Sequence, residues 1–189
     1  MTFNRIIQNK NMSAYRLSKE SNVPYMTIND LINNKTTLTK CNAETVYKIA
    51  KALNTNVEEL LEPYMKNRPS FELFKSNVCH KLKELGDIDF LTDLLDSDEI
   101  TYYYNLEWYP ECFYMLAMLD YISRENNIPL CSEYDELRTM RLSTVIYPSS
   151  VLAIDMATQT DSAKAAAWEK AIPEFKHFNI VENEVRNIV

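Results

Sequence analysis

The chain has 189 residues, a formal net charge of −7 and a single glycine, Gly86. About 7% glycine is usual, so its near-absence excludes G-x-G-x-x-G dinucleotide loops, Walker loops, G-x-S-x-G nucleophile elbows and glycine-dependent two-residue hairpins. The length suits one large domain or two small ones, and the longest apolar run, residues 112–119, is far too short to span a bilayer.

The first predicted helix carries the short apolar stripe Phe3, Ile6 and Ile7. Ser13 caps a second, marked by Ala14, Leu17 and Ser18. Asn22 follows where the chain must turn sharply, since Asn tolerates the left-handed conformation second only to Gly, and Val23 drops into the core. A third helix begins at Pro24, whose missing N–H suits a helix start. Ile28 and Leu31 face inward and leave Tyr25, Met26, Thr27, Asn29 and Asp30 on the free side. From the N-cap Asn42, the spacing Ala43, Val46, Tyr47, Ala50, Leu53 follows the 3.6-residue period, and Asn54 closes that helix as a left-handed C-cap. Asn56 with Glu59 forms a capping-box-like pair for a fifth helix that Pro63 ends.

The segments Ser13-Ala14-Tyr15-Arg16-Leu17-Ser18, Asn22-Val23-Pro24 and Thr27 through Thr36 resemble the lambda-repressor-like (Cro/cI, or XRE) DNA-binding domain. Thr45 to Asn54 and Val57 to Leu61 resemble that family's fourth and fifth helices, so the resemblance covers about a third of the chain. Asn22 and Asn34 stand where the family usually has Gly, and Ala14 where a phosphate-contacting Gln is common. The resemblance implies that the second helix of the motif enters the major groove of double-stranded DNA, bringing Tyr25, Met26, Thr27, Asn29 and Asp30 to base edges. Asn29 suits adenine, Met26 and Thr27 a thymine methyl, and Asp30 cytosine N4; with no Arg on this helix, the lean is toward an A/T-rich site. Ser13, Tyr15, Asn34, Lys35, Thr36 and Thr37 would hold the phosphate backbone. Residues at a helix start are exposed in any protein, and only the surrounding motif raises Tyr25 and Met26 to base contacts.

Charge divides the chain. Residues 1–62 hold eight basic and six acidic side chains, net +2, whereas the remaining 127 hold twelve basic and twenty-one acidic, net −9. A mildly basic module can approach phosphates; a strongly acidic one is repelled by them and suits protein. The proline-bounded polar stretch 63–69 marks the boundary.

Beyond it, Phe71, Phe74, Val78, Leu82 and Leu85 form a helical stripe ended by Gly86, and Asp87 caps a helix carrying Ile88, Leu91, Leu94 and Leu95. Pro110 opens the most apolar helix, with Phe113, Leu116, Ala117 and Ile122, closing near Asn126-Asn127. Ser132 with Asp135 predicts a capping box for a helix through Met140. Ser149 or Ser150 starts another through Met156, and residues 162–171 form a further one that Pro173 kinks or stops. The tail 178–189 has helix-compatible spacing at Ile180/Val181, Val185 and Ile188/Val189, and its apolar end suggests docking. Sharper chemistry finds little support: His80 and His177 lie far apart without a ligand pattern, Ser149-Ser150 has no nearby base, and Asp96, Asp98 and Glu99 sit where capping and solvation explain them. Tyr102-Tyr103-Tyr104 and Trp108-Tyr109 suit a packed core or protein-binding face better than base stacking. Cys41, Cys79, Cys112 and Cys131 lack C-x-x-C spacing and read as reduced, mostly buried thiols.

The expectation is therefore an all-α protein: a five-helix lambda-repressor-like DNA-binding domain over residues 1–64, followed by a second, acidic α-helical domain over 65–189 for dimerisation or partner binding. Its function is that of a cytoplasmic, homodimeric transcriptional repressor, with no enzymatic activity, cofactor, metal or membrane partner. The alternative is an antitoxin whose helical half neutralises a toxin while the DNA-binding half represses the operon.

Overall fold

The computed structural model describes residues 2–186. Among them are thirteen α-helices and no strand; Ile146 and Ile180 form an isolated parallel bridge. The chain divides into two compact units, one running to Arg68 and including Asn105–Glu107, the other comprising Pro69–Tyr104 and the residues from Trp108 onward.

The first unit contains α1 (Phe3–Asn9), α2 (Ala14–Ser21), α3 (Tyr25–Ile32), α4 (Ala43–Ala52) and α5 (Val57–Met65), with a 3-10 turn at Leu38–Lys40. Phe3, Leu17, Val23, Ile28, Leu31, Leu38, Ile49, Leu53 and Leu60 form its core. The caps are those the sequence predicts: Ser13, Asn42 and Asn56 each accept the backbone N–H three residues on, from Arg16, Thr45 and Glu59. Asn56 Nδ2 also donates to Glu59 Oε1 at 3.0 Å, completing the reciprocal pair. Three expectations shift. Pro24 is the N-cap of α3, so the helix proper starts at Tyr25. Tyr47 is exposed while Ile49 is buried, the inward face of α4 being narrower than its apolar spacing suggests. Pro63 lies inside α5, because in a last turn it forfeits one hydrogen bond without blocking the two residues that follow.

In the second unit, α6 (Phe71–Leu85), α7 (Asp87–Ser97), α8 (Glu99–Asn105) and α9 (Tyr109–Glu125) build the main core. Every residue from Glu111 to Asp120 on α9 is buried, so this helix has no solvent face along its middle turns. Tyr103 stands edge-on to Phe74 at 5.3 Å and stacks on Trp108 at 6.0 Å, which places the aromatic run in packing. Gly86, at φ 79°, is the N-cap of α7, and Asp87 is instead its first residue, ion-paired with Arg186 at 2.8 Å. That hydrogen-bonded pairing holds the Asp87 carboxyl below its usual range.

The later elements depart further from expectation. Ser132–Tyr134 is a 3-10 turn without a side-chain cap, leading into the short α10 (Asp135–Arg138). Pro148, not Ser149, precedes α11 (Ser149–Thr158); α12 (Ser162–Lys170) follows, and Pro173 opens α13 (Pro173–His177) instead of merely stopping its predecessor. Within the described residues 178–186 the tail is not helical: Asn179 is left-handed, and Ile146 N donates to Asn179 O while Val181 N donates to Ile146 O, both at 2.8 Å. Val181 and Val185 are buried in this unit, and Ile188/Val189 lie outside the described residues. His80 and His177 are exposed, Cys79 and Cys112 are buried, and Cys41 and Cys131 half-buried.

One ion pair ties α9 to α10. Arg138 Nε and Nη2 donate to the two oxygens of Asp120 at 2.9 and 2.7 Å, with the side chains only 15% and 10% exposed. Arg138→Ala should cost about 3–5 kcal/mol in urea unfolding by leaving Asp120 buried without its cation, whereas Asp120→Leu with Arg138→Met should cost far less.

Candidate nucleic-acid interface

The buried residues Ile28 and Leu31 anchor one face of α3 and so determine which side chains face outward. Tyr25, Met26, Asn29, Asp30 and Asn33 recur at i, i+1, i+4, i+5 and i+8 and share the opposite side. Tyr25 and Met26 are exposed; Thr27, Asn29 and Asp30 are half-buried. The backbone carbonyl of Asn29 accepts from Asn33 Nδ2 at 2.8 Å, while its own side-chain amide has no hydrogen bond among the described residues. An amide oriented by a helix with both its donor and acceptor unused can make a two-pronged contact.

The turn that sets α2 against α3 is built from local hydrogen bonds. Asn22 adopts φ 53°, ψ 35°, Ser18 Oγ donates to the carbonyl of Val23 at 2.7 Å, and Ser21 Oγ accepts from Val23 N at 3.3 Å. Beyond α3, Asn34 is again left-handed at φ 55°, and the backbone N–H groups of Lys35 and Thr36 fold back on the carbonyl of Asp30 at 2.9 and 3.4 Å. This presents residues 34–37 as a tight loop. Lys35 is exposed, its Nζ 3.7 Å from Asp30 Oδ1, beyond hydrogen-bond reach and screened by water. Thr36 and Thr37 are half-buried, and Thr37 Oγ1 lies 2.9 Å from Thr39 Oγ1.

At the start of α2, Ser13 Oγ accepts from Arg16 N at 3.2 Å and retains its hydroxyl proton for a second partner. Tyr15 is exposed, with Lys19 Nζ 5.7 Å from its ring centroid. The structure thus divides the sequence-derived residues into an α3 face (Tyr25, Met26, Asn29, Asp30) with Thr27 half-buried on its flank, a helix start (Ser13, Tyr15) and a loop (Asn34 to Thr37). Four exposed cations outside that set, Lys10, Lys19, Lys40 and Lys51, have no ion pair with a carboxylate among the described residues; a simple inventory of charges would have found them. Others are engaged within the unit: Arg16 with Glu20 and Lys48 with Glu44, both at 2.6 Å, the latter pair holding the Glu44 carboxyl below its usual range.

Residues 2–65 match the family model of the Cro/C1-type HTH DNA-binding domain. The N-terminal third is a Cro/C1-type helix-turn-helix domain. Neither a curated protein nor a solved structure matches the chain. A Cro/C1-type domain makes the chain a DNA-binding transcriptional regulator. No group of three or more metal-ligating side chains converges among the described residues, and none of their helices is long and apolar enough to cross a membrane.

Because Asn22 holds a left-handed turn, Asn22→Ala should lower stability by about 1–2 kcal/mol, read as a depressed unfolding midpoint of the intact chain. Asn22→Gly should be tolerated.

Proposed function

We propose that the protein is a sequence-specific repressor whose helix α3 reads the major groove. The observation that carries this reading is the Cro/C1-type match over residues 2–65, joined to an α3 whose apolar face is buried and whose polar face is open. Tyr25, Met26, Thr27, Asn29 and Asp30 meet base edges, with Asn29 on adenine and Met26 and Thr27 against a thymine methyl. Ser13, Tyr15, Asn34, Lys35, Thr36 and Thr37 hold phosphates. With Arg16 and Lys48 already facing carboxylates and a net charge of only +2 over residues 1–62, one module has a small positive excess, and two modules on a two-fold site double it.

Titration of fluorescent duplexes with the full chain tests this. Lys35→Ala should weaken binding to all duplexes alike and flatten the salt dependence by about one counterion. Asn29→Ala should cost about 1–3 kcal/mol at one base position only. No duplex binding at low salt would refute the reading.

A second reading, the antitoxin, is favoured by one feature of α7. Ile88, 55% exposed, and Leu95 share an outward stripe with Thr92, beside a parallel stripe of Asp89, Asp93 and Asp96. Exposed apolar residues lined by carboxylates suit a basic protein surface. In this reading, a toxin encoded beside the gene arrests growth, the intact chain relieves the arrest, and Ile88→Glu with Leu95→Glu does not. Equal relief by that variant would exclude α7 as the neutralising face.

A further inference from the structure

Helix α11 is inside out. A helix at a protein surface normally turns its apolar stripe inward, yet eight of the ten residues of Ser149–Thr158 are exposed, among them Leu152 at 40%, Ile154 at 52% and Met156 at 80%. The one charged residue, Asp155, is instead buried at 6% exposure. Its Oδ1 accepts from Ala163 N at 3.0 Å and its Oδ2 lies 3.3 Å from Lys164 Nζ, so the carboxylate holds the start of α12. Only the edge formed by Val151 and Asp155, one turn apart, faces the unit. Outward there remain Leu152, Ala153, Ile154, Met156 and Ala157, a face without charge.

The surrounding charge indicates what covers this face. Residues 69–148 carry fifteen acidic and six basic side chains, net −9. A basic partner is drawn to that acid, above all to the carboxylate-lined stripe of α7. In a symmetric contact between the acidic units of two copies the same surface repels itself, and closure is favoured where charge is missing. An isologous contact also requires a patch that complements itself. Leu152 and Met156, with Ala153 and Ala157 beside them, supply large and small side chains at the i, i+4 spacing that lets two such helices interdigitate.

We infer that the outward face of α11 is the homodimer interface of this protein. The need for two copies rests on the DNA-binding reading above; the location of the contact does not. Sedimentation equilibrium of the full-length chain without DNA, from low to high micromolar, separates the two. The expected result is a species of twice 22.1 kDa that Ile154→Glu with Met156→Glu converts to monomer, with unchanged helical circular dichroism and unfolding midpoint. If that pair of changes unfolds the protein, Met156→Gln, at the most exposed apolar side chain, should raise the dimer dissociation constant at least about tenfold, since interface truncations of more than 1.4 kcal/mol are tenfold effects. On a duplex with two-fold symmetry the monomeric variant should bind at least about tenfold more weakly, having lost the linkage between modules. A wild-type chain that stays monomeric throughout, or a dimer indifferent to all these changes, overturns the inference. A dimer that behaves as expected but retards no duplex would sink the DNA-binding reading and leave the interface standing.

Discussion

Where helices end in a tight turn, a residue commonly adopts the left-handed backbone, and this chain has one glycine to do it with. Six asparagines, Asn11, Asn22, Asn34, Asn54, Asn127 and Asn179, take φ values between 46° and 64°, while Gly86 serves a single junction. The asparagine side chain is short and polar enough to limit the steric cost of a Cβ there, and Asp98, Glu107 and Gln159 take the same conformation elsewhere. In the helix-turn-helix unit, Asn11, Asn22, Asn34 and Asn54 follow α1, α2, α3 and α4 in turn. The angle at which α3 leaves α2, and with it the direction of Tyr25, Met26 and Asn29, rests on that choice.

The same residues explain why the first unit was legible and the second only partly so. In residues 2–65 the starts of α2, α4 and α5 have a hydrogen-bonding Ser or Asn and that of α3 a Pro, and an Asn follows each of α1 to α4, so local chemistry and apolar period agree. In the second unit, Asp87 resembles an N-cap but is occupied by Arg186, 99 positions away, and Ser132 and Ser149 look like caps yet make no such bond. The tail has helical spacing, but Asn179 breaks it and Ile180 pairs with Ile146. Contacts between distant segments decided these cases, and local pattern cannot anticipate them. At the candidate interface, residue types and their outward face followed from the sequence. The engagement of Arg16 and Lys48 with nearby carboxylates did not, because side-chain pairing depends on rotamers that spacing leaves open.

Charge is allotted differently in the two units. The first is net positive by a small margin and spends several cations on internal pairs, so affinity for a polyanion must come from geometry and repetition as much as from charge. The second is acidic, and its paired cations are drawn inward: Arg138 against Asp120 ties two helices, and Lys75 against Glu182 at 3.0 Å ties α6 to the segment after α13. Lys75 is held charged by Glu182 and Glu72 despite its burial.

The pair between Lys75 and Glu182 joins residues 107 positions apart, and Arg186 reaches Asp87 across 99. Helix α9 between them is buried on every side along its middle. During synthesis the core of the N-terminal unit, all of it within residues 3–64, can therefore close early, and Asn105 and Glu107 add their hydrogen bonds to Thr2 later. The second unit has to wait for its final segment, and until then the apolar surface of α9 stands uncovered. Nascent chains of this protein thus acquire their DNA-facing module first and are most prone to aggregate in the interval before residues 172–186 emerge.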